Sequence, residues 1–334
     1  MNIINIRTPY FVEVNQFGQT GAKVELFFAY TPSYGSTPTY TLTELVPSAV
    51  QTNLSFNISN YAKEFIKPIG PVYTTSATAE NSQTKIFVQI KRYSLISGVY
   101  TLVDTTEKLC LNGFNTYADG YNKVITSDTY AMFHNVTLKV KDLSSAYVNV
   151  YLDAGSYTID YDSLPAEPLT VTTDNVFKIP IKSNLITIEG GTDDVVINAE
   201  QECEPKYTPL VCTYVNRFGG WQYLTFFKAN SEQITTNSKE FSLLPANIDY
   251  NVLQGQRKGF NFQGKQTIKA NTGWVSESYF DLIQDLMLSE TVLLDNKPVM
   301  VKSKSTDKKT HLKDKNINYE IEFEYNFGLI NDVI

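Results

Sequence analysis

The sequence predicts a mainly β protein: several antiparallel β-sandwich modules, closed by an α+β C-terminal domain that carries one amphipathic helix. Three observations lead there. Aromatic residues make up 13% of the chain, chiefly 22 Tyr and 19 Phe, and with abundant Thr, Val and Ile they suit a pleated, half-buried surface. Apolar residues alternate with polar ones over strand lengths, and turn dipeptides punctuate the chain from end to end.

The strand signals come first. Residues 22–30 (AKVELFFAY), 85–93 (KIFVQIKRY), 136–140 and 147–152 (YVNVYL) read as strands. Side chains alternate across a pleat, so Val24, Leu26 and Phe28 share a face opposite Glu25, and Ile86, Val88 and Ile90 share one opposite Gln89 and Lys91. Pro32-Ser33-Tyr34-Gly35, Gly70-Pro71, Ser97-Gly98, Asn112-Gly113, Asp119-Gly120, Gly190-Gly191 and Gly219-Gly220 mark turns between them. Two segments have helical spacing. Residues 58–67 place Ile58, Ala62 and Phe65 on one side before Pro68 ends the run, which predicts a short covering helix. Residues 275–289 carry a stripe of Val275, Tyr279, Leu282, Ile283 and Leu286, which predicts a helix packed on the C-terminal sheet.

At 334 residues the chain is about twice the common domain length of roughly 150 residues. Shifts in composition near 122–127 and 199–205 divide it into an N-terminal β domain with a helix at 1–125, a small sandwich-like domain at 126–200 and an α+β domain at 201–334. The middle piece has the size of an immunoglobulin-like module without the Cys and Trp spacing of antibody domains.

Lys and Arg number 28 against 35 Asp and Glu, a formal net charge of −7, so the whole chain is not a coat for nucleic acid. Cys110, Cys203 and Cys212 have no metal or redox spacing, and free thiols are expected. Residues 1–10 lack the basic start and apolar run of a signal peptide, and no stretch reaches the about 18 apolar residues of a membrane span. The sequons at Asn53, Asn57 and Asn135 matter only on a eukaryotic secretory route, which nothing else in the sequence supports.

Signals for chemistry are few. The two histidines, His134 and His311, fall in different pieces and do not form a His-based metal centre. Phosphate-binding glycine loops, nucleophile elbows, zinc-protease helices and dinucleotide fingerprints do not occur. Asp160 and Asp162 face one way if Asp160-Tyr161-Asp162 is a strand, and Asp153, Asp193 and Asp194 are further oxygen donors, without the spacing of a calcium loop. Neither catalysis nor a cofactor or metal is expected. One segment is locally basic: residues 301–315 (VKSKSTDKKTHLKDK) hold Lys302, Lys304, Lys308, Lys309, Lys313 and Lys315. Between the runs 299–301 and 317–327 they read as the exposed loop of a long hairpin, available for docking or for weak phosphate contact.

From Cys203 onward the order of features is distinctive. Two strand runs in CTYVNRFGGWQYLTFFKA surround an Asn-Arg-Phe-Gly-Gly-Trp turn. FNFQGKQTIKANTGWVSESYFDLIQDLMLSETVLLD follows, then an Asn296-Lys297-Pro298 turn and the closing INYEIEFEYNF. This order resembles C-terminal domains of structural proteins in tailed bacteriophages, particularly phages of Bacteroidetes hosts and the crAss-like group, and covers about a third of the chain. The resemblance implies a virion component of the head-to-tail connector, tail barrel or tail adaptor, assembled in the host bacterial cytoplasm. Its partners would be copies of itself in a ring, six- or twelve-fold, and neighbouring portal, ring or tail proteins, with weak contact to lumenal DNA if the lysine-rich loop faces inward. Arg217, Phe218 and Trp221 are the candidate contact residues at the turn, because aromatic and Arg anchors dominate such interfaces. The alternatives are a carbohydrate-binding adhesin or receptor-binding tail module, since β-sandwiches with exposed Tyr and Trp suit glycans, and a carboxylate hydrolase using Asp160 and Asp162.

Overall fold

The computed structural model describes residues 1–47, 52–81, 83–203, 206–243, 253, 255–308 and 316–330. The protein is mainly β, with several antiparallel sheets and, among the described residues, two α-helices. It divides into two compact units. The first joins Met1–Cys203 to Thr213–Leu224 and Asp281–Thr291, and the second holds Glu204–Cys212, Thr225–Phe280 and Val292–Ile334.

In the first unit a five-stranded sheet runs in the order Asn2–Asn5, Val99–Leu111, Lys85–Ile96, Gly21–Ala29, Tyr40–Leu45. Its pairs are antiparallel except that Asn2–Asn5 lies parallel to Val99–Leu111. The two longest strands are joined by Ser97-Gly98, with φ of +52° and +80°, and Ile96 faces Val99. Positive φ at both loop residues matches the twist of the flanking strands. As the alternation predicts, Val24, Leu26, Ile86, Val88 and Ile90 are buried on one face. There they meet Val12, Val14, Leu54 and Phe56, and Ile58, Ala62 and Ile66 in and around the short helix Ser59–Lys63. The helix thus covers this core.

The opposite face is buried too, against residues from beyond position 125. Phe87, Leu109 and Leu111 from the sheet share a core with Met132, Tyr151 and Val176. Tyr151 and Val176 belong to a four-stranded sheet ordered Thr78–Ala79, Asn175–Pro180, Tyr147–Leu152, Thr129–Ala131. The N-terminal piece contributes its edge strand, Thr78–Ala79, paired to Phe177 and Lys178. Every residue of Tyr147–Leu152 is buried, as expected of a strand covered on both faces. A further sheet, Leu138–Val140, Val195–Gln201, Leu185–Glu189, Gly155–Tyr161, Leu164–Val171, is antiparallel apart from its first pair. Residues 1–125 and 126–200 lie in one unit and share the core around Phe87 and Tyr151.

The helix predicted at 275–289 spans Tyr279–Met287. Residues 281–291 belong to the first unit, together with residues 213–224. The helix's stripe residues Leu282, Ile283 and Leu286 are fully buried. The Tyr214 hydroxyl donates to the Leu282 carbonyl at 2.7 Å, and Arg7 Nη2 donates to the Leu288 carbonyl at 2.6 Å.

The second unit is built on the strands Val292–Leu294, Lys297–Val301, Glu320–Tyr325, Arg257–Asn271 and Ser231–Ser242, in that order. The tight turn expected at Asn296-Lys297-Pro298 lies one residue earlier. Asp295 and Asn296 have φ of +46° and +63°, and Leu294 faces Lys297. Asp and Asn tolerate this left-handed geometry and proline does not. The pairing of Val299–Val301 with Phe323–Tyr325 forms the hairpin expected around the basic segment.

Candidate functional site

The Asn-Arg-Phe-Gly-Gly-Trp turn is organised by its first residue. Asn216 is fully buried. Its Oδ1 accepts from the backbone N–H of Phe218 and of Gly220, both at 3.0 Å, while its Nδ2 donates to the Met132 carbonyl at 2.7 Å. Asn side chains satisfy backbone two residues on in this way. Gly219 has φ +82°, and a Cβ there would lie 2.9 Å from the Leu111 Cβ and 3.0 Å from the Asn112 nitrogen; only glycine fits.

The turn is packed on its own unit. Trp221 is 1% exposed and its N–H donates to Asn149 Oδ1 at 2.7 Å, so Trp221 is corrected from a surface contact to a core residue. Phe218 is half-buried, edge-on to His134 at 5.0 Å and Tyr130 at 6.1 Å. The Arg217 backbone N–H donates to Asp285 Oδ2 at 3.1 Å, and its guanidinium lies 3.7 Å from Asp119. Asp285 also meets His134 Nε2 at 2.8 Å. Of the three residues, Arg217 and Phe218 keep accessible surface, and both are already engaged within the unit.

Behind Trp221 lies a buried polar network. Asn149 Nδ2 donates to Glu80 Oε2 at 3.0 Å, and the Tyr147 hydroxyl donates to the same oxygen at 3.2 Å. Burial and the adjacent Glu80 carboxylate push the Tyr147 phenol well above its ordinary range. Nothing in the residue spacing announces this network, because Glu80 follows the strand Thr78–Ala79 and Asn149 lies in Tyr147–Leu152, far along the chain. Asn216, by contrast, carried a readable Asx-turn signal ahead of Gly-Gly.

The second unit presents a different surface. Ser231–Ser242 pairs with Arg257–Lys269, broken by one irregularity between Asn237 and Lys239. Glu320–Tyr325 pairs with the same ribbon over Thr267–Asn271 and the Leu329 N–H donates to the Gly264 carbonyl at 3.0 Å, so from Gln263 to Arg257 the ribbon continues as a two-stranded arm. All twelve residues of Ser231–Ser242 are exposed, and at about 3.3 Å per residue the strand is about 40 Å long. The ribbon exposes Ile234, Phe241, Phe260 and Phe262, with Phe241 and Phe260 edge to face at 5.6 Å. Lys239, Arg257 and Lys258 stand near its tip against Glu240.

The basic segment is only partly a set of free cations. Lys302 Nζ lies 2.8 Å from Glu324, which also meets Lys265 at 3.2 Å; Lys302 foremost holds that carboxyl below its ordinary value. Lys308 stands over the Phe280 ring at 5.7 Å, and Lys304 is exposed. Lys309, Lys313 and Lys315, with His311, lie outside the described residues. Asp160 and Asp162 are exposed on either side of buried Tyr161, and no cluster of three or more metal-ligating side chains occurs among the described residues. No helix among them is long and apolar enough to cross a membrane. In the first unit a cavity of about 580 Å³ is bordered by Thr8, Phe11, Asn115, Tyr117, Tyr121 and Asn122. No family model, curated protein or solved structure matches the chain.

Proposed function

We propose that the protein is a structural, non-enzymatic component of a tailed-phage virion, part of the head-to-tail connector or tail barrel, that assembles as a ring with copies of itself and neighbouring tail proteins. The observation that carries the reading is the exposed strand Ser231–Ser242 and the arm it forms with residues 257–263. A lone two-stranded ribbon is marginal in water, and an open edge with apolar side chains is a template for another chain. Seating Ile234, Phe260 and Phe262 on a neighbour would bury the surface that one copy leaves exposed. The resemblance of residues 203–334 to tailed-phage structural domains supplies the setting, and rotation that closes supplies the ring. Arg217 and Phe218 have their partners within the unit, so the arm, with Lys304 in the basic segment, replaces the turn as the leading contact surface.

Immunogold labelling of purified phage particles with an antibody against the chain tests this directly. Label at the neck or tail barrel is expected, and absence of the chain from particles overturns the reading. A second reading, a carbohydrate-binding adhesin or receptor-binding tail module, draws on the cavity beside exposed Tyr117 and Tyr121 with Asn115, Thr116 and Asn122 on its walls. Label at the distal tip together with binding to a glycan array would favour it.

A further inference from the structure

Lys85 opens the strand Lys85–Ile96, and Asn175 opens the strand Asn175–Pro180. The two are 90 residues apart, and the Lys85 Nζ donates to Asn175 Oδ1. Lys85 is only 7% exposed and forms no ion pair among the described residues. A buried ammonium whose side-chain partner is a neutral carboxamide is an expensive arrangement. Losing the proton relieves it and leaves a nucleophilic amine beside the Asn175 carboxamide. Burial pushes the Lys85 ammonium down to about 8, against which the field of Glu80 acts.

We propose that Lys85 and Asn175 condense into an intramolecular isopeptide bond that staples the five-stranded sheet to the four-stranded sheet across their shared core. The Nζ lone pair attacks Asn175 Cγ, and charge develops on Oδ1, which already accepts the Val176 backbone N–H at 2.9 Å. The Cγ–Nδ2 bond then breaks. The proton lost from Nζ leaves on the amide nitrogen, so the products are a secondary amide and ammonia, with nothing oxidised or reduced. Glu80, 1% exposed and held by Asn149 and Tyr147, is the carboxylate whose charge reaches the amine.

Intact mass spectrometry of the full chain, followed by a tryptic map, tests the bond. The expected mass is about 17 Da below the uncondensed chain, one ammonia lost in a covalent modification. Trypsin should fail to cut after Lys85, and that peptide should appear joined to the one holding Asn175. Asn175→Ala should restore the full mass. An uncondensed wild-type mass, separate linear peptides, or a 17 Da loss that persists in Asn175→Ala each overturns the proposal. Where the variant does not fold, the wild-type mass and peptide map decide alone.

Discussion

Replacing Asn216 by alanine removes one side chain and disconnects three groups. The Gly220 N–H and the Met132 carbonyl lose buried hydrogen bonds of 3.0 and 2.7 Å, and the Phe218 N–H loses one of 3.0 Å at a half-buried position. An orphaned buried polar group costs about 1–3 kcal/mol, less where water can reach it. Two buried groups and one partly wetted group therefore predict a loss of about 2–5 kcal/mol. For a unit of this size, about 3 kcal/mol corresponds to a fall in Tm of about 6–12 °C. Trp221 reports on the same turn, and changing Trp274, which is exposed, to Phe leaves Trp221 as the single indole. Urea unfolding followed by its fluorescence should give a much lower midpoint for Asn216→Ala with an unchanged slope. Arg217→Ala in the same turn should cost at most about 1 kcal/mol, because its pair with Asp119 is partly exposed. If Asn216→Ala loses less than about 0.5 kcal/mol, the turn is not held by this side chain and the reasoning from buried hydrogen bonds fails.

Other expectations follow from the same structure. One thiol in three should label rapidly in the native protein: Cys203 is exposed, whereas Cys110 and Cys212 are buried and burial raises both; rapid labelling of a second cysteine would contradict their placement. The Asp119 carboxyl is held well below its ordinary value by Lys123, then by Thr116. Its contribution is thus present above about pH 4, the ordinary value, and is lost as pH falls from there through the depressed folded value. Asp119→Asn should therefore flatten the fall in stability below pH 4, and an unchanged acid slope would show that the contact contributes nothing. Trypsin should nick the isolated protein first at Lys239, Arg257 or Lys258 on the arm, and those sites should be protected in assembled particles; equal cleavage in both states would argue against a seated arm.

Much of the fold was legible because the physics that forms it is local. Tyr147–Leu152 was bounded correctly from its β-branched and aromatic run, and Ser97-Gly98 and the helix core at 279–287 followed from turn chemistry and the apolar stripe. Long-range burial was not legible. The alternation of Gly21–Ala29 announced Val24 and Leu26, but Phe27 is buried too, on the opposite face, with the Lys91 ammonium 4.6 Å from its ring centroid. The Ser231–Ser242 strand escaped sequence reading because neither of its faces is buried, so SEQITTNSKEFS carries no alternation to detect. For the site, aromatic and Arg content pointed at Arg217, Phe218 and Trp221, yet the same properties suit a packed turn. Lys85 and Asn175 lie 90 residues apart, and only the apposition of two sheets brings them together.

The interleaving of the units also orders events during synthesis. The first unit takes residues 213–224 and 281–291 as well as the first 203, and Asn216, Trp221, Leu282 and Ile283 all fill its interior. A nascent chain that has emerged only to residue 203 still lacks the asparagine that clamps the Met132 carbonyl and the helix that places Asp285 against His134. Its sheets can pair, but a hydrophobic surface stays open until residue 291 leaves the ribosome, which at roughly 5–20 residues per second prolongs the exposure by several seconds. During that interval the chain is most open to capture by chaperones or to mispairing with another copy.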